Sequence, residues 1–439
     1  MLFTFYKYIQ PTHYFLLKQK GATVFPNPEA LPKDILEQLP AVPYKTPLAQ
    51  SYDLSWQAIQ KGWIEVEDKL THIEPLSIQD NYQFIRAYFN APWVWYVLGI
   101  RLLSFKNPFT ELSAFFKSRH TPKASLFSPI IAQPNLGKYK LLEQPPLVTV
   151  VIPTLNRYPY LKDVLTDLEL QDYPNFEVIV VDQTESFQEA FYNGWNLNLQ
   201  VIYQKEKALW LARNTAIKQS QGEYILLFDD DSRVETDWIT NHIKCLQHYN
   251  ADVSSGVSIS KVGAKVPKHY SFFRVSDQLD TGNAMIKKDV FRRIGLFDRQ
   301  FEKQRMGDGE FGARVHINGC LNVSNPKAKR LHLKVNSGGL RDMGSWDAFR
   351  TKRWLDARPV PSVLYFYRRY FGKNAAILAL IKNTPLSIMP YRFKNHKYLT
   401  LLGMFLMIFM TPLILFQLIK SWRLSSKKIK QGPLIAPLD

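Results

Sequence analysis

The sequence predicts an α/β protein whose central domain is built on a mostly parallel sheet. Two β-branched runs of strand length, "LVTVVI" (147–152) and "FEVIVV" (176–181), flank a stretch with helical spacing, "YLKDVLTDLELQ" (160–171). The alternation continues with "QVIYQ" (200–204), the helical "LARNTAIKQSQ" (211–221) and "EYILLF" (223–228). Strand–helix–strand units form right-handed parallel crossovers, so we expect these strands to share one sheet.

Size and composition are those of a folded protein with a strong basic excess. The chain has 439 residues, of which 46% are hydrophobic and 21% charged, and 56 Lys and Arg against 38 Asp and Glu give a net charge of +18. Such a charge suits nucleic acid, an anionic membrane surface or a phosphorylated substrate. Two cysteines are too few for a disulfide framework, which favours a reducing, cytosolic environment. The first ten residues lack the pattern of a secretory signal.

A region rich in aromatic residues and proline, residues 1–145, precedes the sheet domain and carries no chemical motif. Within it, "APWVWYVLGIRLLSF" (91–105) predicts a buried helix, with an interfacial membrane helix as the alternative. "EQPP" (143–146) marks the boundary to the sheet domain, which we assign to 146–345.

The strand "EYILLF" ends in three consecutive acids, Asp229, Asp230 and Asp231. Three adjacent carboxylates repel one another unless a cation or hydrogen-bond donors lie nearby. Hard divalent ions such as Mg²⁺ and Mn²⁺ prefer carboxylate oxygens, so a metal site explains the run, and an acidic loop or helix cap is the alternative. In an extended segment Asp229 and Asp231 share a side while Asp230 turns away.

Spacing excludes several other sites at these acids. "DDDSRVETDWIT" lacks the central Gly and closing Glu of an EF-hand loop. No stretch fits a P-loop, and no G-x-G-x-x-G follows a strand. In open α/β sheets, ligands bind beyond the carboxyl ends of the strands, and the loops there begin at Pro153-Thr154, at Asp182 and at the acids.

Six blocks occur in the order typical of family 2 glycosyltransferases, and the chain resembles that family over about residues 147–340. The blocks are "VTVVIPTLNR" (148–157), "FEVIVVDQTES" (176–186), "ARNTAI" (212–217), "GEYILLFDDDS" (222–232), "DTGNAMIKKDVFRRIGLFD" (280–298) and "GDGEFGARV" (307–315). The resemblance implies the nucleotide-sugar-binding GT-A fold, with a mostly parallel mixed sheet. It also implies a divalent metal, Mn or Mg, held at an Asp-x-Asp motif.

The resemblance also assigns roles to residues of the donor side. The nucleoside diphosphate is expected to contact a set of polar residues at the strand ends, and one acid is expected to bind the metal that bridges the diphosphate. The donor-binding set is Pro153, Thr154, Asn156, Asp182, Arg213, Asp229 and Asp230, and the metal ligand is Asp231, completed by His332 of "RLHLKV". A cation there stabilises the negative charge that builds as the diphosphate departs.

Asp308 falls where the family keeps its general base. The family commonly has Glu-Asp at this point and this chain has Gly307-Asp308, so the supporting role of the neighbour is in question. Capping of the following helix is the structural alternative for Asp308. Glu310 and Asn283 are candidates for acceptor binding or for supporting the site. "NSGGLRD" (336–342) resembles a flexible loop that closes over the donor.

The C-terminal part contains a run long enough to cross a bilayer. After an extension (346–398), residues 399–419 carry no charge over 21 positions, and a basic tail (420–439) follows. Basic residues flank the run on both sides. The positive-inside rule places both flanks on the cytosolic side, which a helix that crosses the membrane once cannot satisfy. We expect a transmembrane helix, or a re-entrant or interfacial helix bent near Pro412. Because the resemblance implies that the sheet domain meets nucleotide sugars, we expect the protein at the cytoplasmic face of the cell membrane.

Together these features predict an inverting, metal-dependent transferase at a membrane. It would move a sugar from a nucleoside-diphosphate sugar to a glycan or lipid-linked acceptor in cell-surface polysaccharide synthesis, with membrane lipid as a further partner and no role for nucleic acid. Two alternatives stand beside it: a two-metal nucleotidyl or polymerase-like transferase, and a catalytically inactive carbohydrate-binding scaffold of the same fold.

Overall fold

A computed structural model describes residues 1–64, 68–128, 130–139, 141, 143–260, 266–335, 348–351, 353–393 and 395–439. The chain forms two compact units. The helical unit comprises residues 1–133 and 347–425, and the sheet unit comprises residues 134–346 and 426–439. Residues 426–439, predicted as part of a separate basic tail, therefore fold with the sheet. The predicted closing loop 336–342 lies outside the described residues.

The helices and strands of the described residues are as follows. The helices are α1 Tyr6–Ile9, α2 Lys33–Gln38, α3 Pro47–Gln60, α4 Ile78–Tyr88, α5 Ala91–Leu103, α6 Pro108–Lys117, α7 Tyr158–Glu169, α8 Leu209–Gln219, α9 Trp238–His248, α10 Lys288–Ile294, α11 Gly307–Ile317, α12 Pro361–Tyr370, α13 Gly372–Leu386, α14 Lys397–Phe409 and α15 Thr411–Gln431. The strands are β1 Val148–Thr154, β2 Phe176–Asp182, β3 Leu199–Tyr203, β4 Tyr224–Phe228, β5 Ser232–Val234, β6 Val253–Ile259, β7 Arg274–Val275, β8 Asn283–Lys287 and β9 Asn322–His332.

The helical unit has an aromatic core. Trp56 of α3 is buried and packs edge-on against Phe84 of α4, which stacks on Phe3 with ring centroids 4.0 Å apart. Such pairs contribute beyond their buried area. Helix α5, predicted as a buried helix, buries only one face, and Trp95 and Leu103 of the same helix are exposed.

The uncharged run 399–419 is divided between two helices. Helix α14 ends at Phe409 and α15 begins at Thr411, with Pro412 in its first turn, where the missing N–H costs no helical hydrogen bond. The two helices are bent by 89°, so the bend expected near Pro412 is present. Among the described residues no single helix has the length and apolar composition of a membrane span, whereas this bent pair satisfies both criteria together.

One mixed sheet forms the centre of the sheet unit. Its strand order is β3-β2-β1-β4-β8-β6-β9-β5, and β7 pairs with β9. Strands β1 to β4 pair in parallel, which confirms the four strands predicted from the sequence. Beyond them the sheet is mixed, because β8 runs antiparallel to both β4 and β6 whereas β6 pairs with β9 in parallel. The residues of β8 lie within the fifth block of the resemblance (280–298), in which no strand is predicted from the sequence.

Residues 426–439, here called the C-terminal strap, pack on the loop between α10 and α11. Gln300 donates from Nε2 to the carbonyl of Gly432 over 2.8 Å, and the amide of Leu434 donates to Asp298 Oδ1 over 2.9 Å. The amide of Leu296 donates to the carbonyl of Ala436. The strap therefore supports the segment that leads into α11.

Candidate active site

The carboxyl ends of β1, β2 and β4 meet at one edge of the sheet, as predicted. Thr154 pairs in register with Asp182, and β4 lies beside β1 on its other side. The acids that follow β4 therefore emerge next to the loop that follows β1. This register explains how residues far apart in sequence reach one cleft.

Arginine side chains and a hydroxyl meet the three acids. Asp229 accepts hydrogen bonds from Arg213 Nη2 and Arg330 Nη1, each over 2.8 Å. Both guanidinium groups are almost fully buried. Because charge-assisted hydrogen bonds of this kind are strong, Asp229 is held in one orientation.

Asp230 turns away from its neighbours and binds the loop after β1. Thr154 Oγ1 donates to its Oδ2 and Arg157 Nη1 to its Oδ1, both over 2.8 Å. Burial raises the pKa of Asp230 to about 6, although Arg157 acts in the opposite direction. Asp230 thus ties the acidic turn to β1.

Asp231 lies beside His332. Its Oδ1 is 3.3 Å from His332 Nε2, and its Oδ2 is 3.2 Å from Arg157 Nη1. The antiparallel pairing of β5 with β9 sets Ser232 opposite His332, and the amide of Leu333 donates to the carbonyl of Asp231. The ladder between two strands therefore brings the histidine to the acids.

Asp229, Asp231 and His332 form a group that can hold a metal ion. One ligand atom from each lies within 4.8 Å of the others. Two carboxylates and one imidazole are a donor set that suits Mn²⁺ and tolerates Mg²⁺ with water or phosphate completing the shell. The residues present fit the predicted ion, and their role as ligands stays a prediction.

A chain of hydrogen bonds joins the acids to Asp308. Arg213, which binds Asp229, also donates from Nη1 to Thr281 Oγ1 over 2.8 Å and from Nη2 to the Thr281 carbonyl over 2.9 Å. Thr281 Oγ1 donates to Asp308 Oδ1 over 3.0 Å. Asp308, in the first turn of α11, and the cluster at the end of β4 therefore belong to one connected network.

Trp210 fills the space beside Gly307, where the family commonly has an acid. A Cβ at Gly307 would lie 2.1 Å from Trp210 Cζ2, so any side chain there would overlap the indole. The indole donates to the carbonyl of Phe301, and the amides of Trp210 and Leu211 donate to the carboxylate of Glu302. The absence of an acidic side chain at position 307 is therefore accompanied by a tryptophan at the start of α8, which occupies the space.

Asp182 is fully buried and already accepts several hydrogen bonds. The hydroxyls of Tyr158 and Tyr192 donate to its Oδ2 over 2.7 and 2.8 Å, and the amide of Thr184 donates to Oδ1. Burial raises the pKa of both tyrosines, so both are neutral donors. To bind a nucleoside base, Asp182 would exchange one of these partners.

The predicted nucleoside-binding residues line the turn after β1. Pro153 lies within β1, opposite Val181 of β2. Asn156 adopts a left-handed conformation with φ 56°, and its amide donates to Thr184 Oγ1 over 2.9 Å. A non-glycine residue with positive φ is uncommon outside tight turns and functional loops.

Glu310 and Asn283 lie outside this cluster. Glu310 is fully buried and paired with Arg314, whose Nε is 2.7 Å from its Oε1. Asn283 is buried in β8, where its Oδ1 accepts from Trp238 Nε1 over 2.8 Å and lies 3.1 Å from His242 Nε2. These contacts hold both residues within the fold, and their role in acceptor binding or in supporting the site stays a prediction.

Three residues of the network were not singled out from the sequence. Arg157 follows Asn156 directly in the first block, and Thr281 precedes Asn283 by two positions. Arg330 precedes His332 by two, and alternate residues of a strand share a face, so the period of β9 was the signal that could have found it.

Residues 149–303 match the family model described as Glycosyl transferase family 2. Asp308 and His332 fall outside the matched residues. Among curated relatives, Glycosyltransferase GlyA of Streptococcus pneumoniae is 26% identical over 228 residues, which are 48% of this chain and 33% of the relative.

The chain also resembles a second relative, Poly(ribitol-phosphate) beta-N-acetylglucosaminyltransferase TarS of Staphylococcus aureus. The two are 30% identical over 112 residues, which are 24% of this chain and 20% of TarS. The chain thus spans a third or less of these two relatives. A crystal structure of S. aureus TarS 1-349 in complex with UDP-GlcNAc aligns with 65% of this chain and 92% of that one, at 16% identity and a TM-score of 0.43.

Proposed function

The segment 149–303 belongs to glycosyl transferase family 2, and from this premise we propose that the protein transfers a sugar from a nucleoside-diphosphate sugar to a glycan or lipid-linked acceptor. The observation that carries the proposal is the network that joins the metal-ligand group to Asp308 through Arg213 and Thr281. A two-metal nucleotidyl transferase is set aside, because the matching family transfers sugars.

The donor end of the reaction is assigned to the cleft at the strand ends. Arg157, Arg213 and Arg330 supply three cations at the acids, and each is at least largely buried. Positive groups in a site of low dielectric stabilise a diphosphate more strongly than they would in water. Asp182 and the turn at Asn156 lie at the neighbouring strand ends, where a nucleoside would bind.

A divalent cation held by Asp229, Asp231 and His332 would neutralise charge on the departing diphosphate. The chain's own residues prepare this position, because Arg213 and Arg330 fix Asp229 while the β5–β9 ladder fixes His332 beside Asp231. We propose Mn²⁺ or Mg²⁺ as the ion.

Asp308 is the proposed general base. As the acceptor hydroxyl oxygen forms its bond to the anomeric carbon, the hydroxyl proton passes to the Asp308 carboxylate. The bond between the anomeric carbon and the diphosphate oxygen breaks, and the nucleoside diphosphate leaves with that electron pair. A single displacement of this kind inverts the anomeric centre, and a positioned base contributes about 10² to 10⁴ in rate.

We propose a cell-surface polyol phosphate or polysaccharide as the acceptor class, reached at the cytoplasmic face of the cell membrane. The name of TarS specifies a poly(ribitol-phosphate) acceptor for that protein and supports this choice for the present one. The net charge of +18 favours an acceptor or a surface that carries negative charge.

The test uses the full-length protein with a panel of nucleoside-diphosphate sugars, with and without Mn²⁺. A true donor at a hundred times its dissociation constant stabilises the fold by about 2.7 kcal/mol, which appears as a raised melting temperature. Slow donor hydrolysis should release nucleoside diphosphate and free sugar. Release of pyrophosphate would indicate nucleotidyl transfer instead, and binding without any turnover in the presence of polyol phosphate acceptors would indicate an inactive scaffold.

A further inference from the structure

The positive charge of the protein is concentrated in one part of the sequence. Residues 357–438 contain thirteen Lys and Arg and no Asp or Glu. This stretch therefore carries most of the net charge of +18 of the whole chain. Most of it, up to residue 425, belongs to the helical unit. A segment of this composition is attracted to a surface of dense negative charge.

Helix α14 is apolar on all sides and is nevertheless exposed. Its only buried residue is Gly403, at which the helix packs against Met389. Phe405, Ile408 and Phe409 are exposed, Phe409 to 71%. A helix that is hydrophobic all round is stable in a protein core or in lipid, and patches of this extent are rare on monomeric soluble proteins. We therefore expect α14 to lie in an apolar environment.

A second apolar patch lies at the turn between α5 and α6. Leu103, Phe105 and Phe109 are exposed to 78%, 98% and 83%. Phe105 has φ 55° because it is the left-handed residue of the Schellman motif that ends α5, in which the amides of Phe105 and Lys106 donate to the carbonyls of Leu102 and Arg101. Lys106 follows it directly. The turn that ends α5 therefore presents three large apolar side chains to solvent.

Helix α13 links the two patches within the helical unit. Lys382 of α13 lies over the ring of Trp93 of α5, with Nζ 5.4 Å from the ring centroid. Helix α13 also packs against α14. The α5–α6 turn and α14 thus flank one helix, and α13 adds exposed Ile377 and Ile381.

We propose that Leu103, Phe105, Phe109, Leu401, Phe405 and Phe409 form a lipid-binding face that seats the protein in the headgroup region of an anionic phospholipid bilayer without crossing it. A helix of 13 residues such as α14 is about 20 Å long, against about 30 Å for the hydrocarbon core. The bend of 89° then turns α15 away, so the pair suits a position in the plane of the membrane. The proposal does not depend on the transfer reaction.

The combination of exposed apolar side chains and cations favours an anionic lipid bilayer as the partner over nucleic acid or a soluble polyol phosphate. Nucleic acid or a soluble polyol phosphate would engage the lysines and arginines, but neither offers hydrocarbon to six large apolar side chains. An anionic bilayer offers both components at one surface.

The test is co-sedimentation of the full-length protein with vesicles of phosphatidylcholine alone and of phosphatidylcholine mixed with phosphatidylglycerol. We expect binding to the mixed vesicles, weakened by salt, and about tenfold less binding to the neutral ones. The double variants Phe405→Glu/Phe409→Glu and Phe105→Glu/Phe109→Glu should each lose about tenfold or more in affinity. Leu170→Glu, at an exposed leucine of the sheet unit, is the matched control and should bind as the parent does.

Several results would overturn the proposal. Unchanged binding of both double variants excludes the face, and equal binding to both kinds of vesicle excludes selection of anionic lipid. Competition by an oligonucleotide at equal charge would assign the cations to a soluble polyanion. The variant Phe405→Trp places a fluorophore on the face, and its quenching by brominated lipid beyond that of the parent protein reports the contact even if a double variant fails to fold; no added quenching would count against the face. Cleavage by trypsin after only one of Lys397 and Lys420 in sealed vesicles, and after both once detergent is added, would indicate a crossing helix instead.

Discussion

The hydroxyl of Thr281 donates a hydrogen bond to Oδ1 of Asp308 over 3.0 Å, while Arg213 Nη1 donates to the oxygen of the same hydroxyl. A guanidinium group has donors only, so Thr281 Oγ1 accepts from Arg213 and its own proton goes to Asp308. The carboxylate of Asp308 is therefore oriented at Oδ1 by a fixed donor. The same arginine binds Asp229, which couples the two sides of the site.

Thr281→Val should lower kcat by about tenfold or more, because a hydrogen bond to a charged group is removed from a buried position. Loss of the donor also favours the protonated carboxyl group, so the acid limb of the kcat–pH profile should move to higher pH. Thr281→Ser keeps the hydroxyl and is the matched control, with kcat and pH profile near those of the parent. Equal losses in the valine and serine variants would assign Thr281 to packing alone.

Asp308→Asn should abolish most of the turnover and leave the fold intact. The amide keeps the shape and the contact with Thr281 but takes no proton, so we expect kcat to fall by about 10² to 10⁴. Donor affinity from calorimetric titration and the melting temperature should change little. A parallel loss of stability and activity would favour helix capping as the function of this residue.

Asp231→Asn should weaken the binding of Mn²⁺ and of donor in the presence of Mn²⁺. One carboxylate ligand is replaced by a weaker amide oxygen, and the ion pair with Arg157 is lost. Calorimetric titration of Mn²⁺ alone, without donor, separates the metal site from the nucleotide site. The control is Asp252→Asn, at a carboxylate that pairs with Arg293 away from the acids. Unchanged Mn²⁺ affinity in the first variant would move the metal site elsewhere.

Gly307→Glu restores the residue type that the family commonly has, and we expect it to destabilise this protein. The new side chain meets the Trp210 indole, and overpacking of this kind costs about 1–3 kcal/mol. In the background of Trp210→Ala the same substitution should cost clearly less, which a double-mutant cycle of unfolding free energies measures. Gly99→Ala, in a helix with open space around it, should be neutral or stabilising.

Protonation of His242 should weaken the sheet unit in mild acid. Burial lowers the pKa of His242 from 6.5 to about 4, so the unfolded chain binds the proton more readily than the native one. The contribution of neutral His242 to the free energy of unfolding is complete above pH 6.5 and is lost as the pH falls toward 4. At about pH 5 the loss amounts to roughly 2 kcal/mol relative to neutral pH. Urea unfolding at both pH values should show a smaller change in His242→Gln than in the parent.

Local patterns predicted the parallel half of the sheet, and they could do so because β1 to β4 are buried runs separated by amphipathic helices. They also predicted that Asp229 to Asp231, Asp182 and Thr154 meet at one edge, since the carboxyl ends of neighbouring parallel strands lie at the same edge of a sheet. Strand β8, between β4 and β6, was not predicted, because its residues were identified only as part of a family motif.

The positive partners of the acids could not be predicted in the same way. Arg157 and Arg330 reach the acids from 73 and 101 positions away, and pairings over such distances depend on the assembled sheet. From the sequence Asn283 is a candidate for acceptor binding or for supporting the site, and the structure places it in β8, buried as the hydrogen-bond partner of Trp238 and His242. Nothing in the sequence around Gly307 indicates that Trp210, almost a hundred residues earlier, occupies the space next to it.

The C-terminal strap makes the sheet unit discontinuous, and this affects the order in which the protein matures during translation. Residues 134–346 leave the ribosome before the roughly 80 residues of the helical unit that precede the strap. At about 5–20 residues per second, these take on the order of 4 to 16 s to synthesise. Until then the loop from Leu296 to Gln300 lacks its partners in the strap, so the segment leading to Asp308 is completed only after helices α12 to α14 have been synthesised.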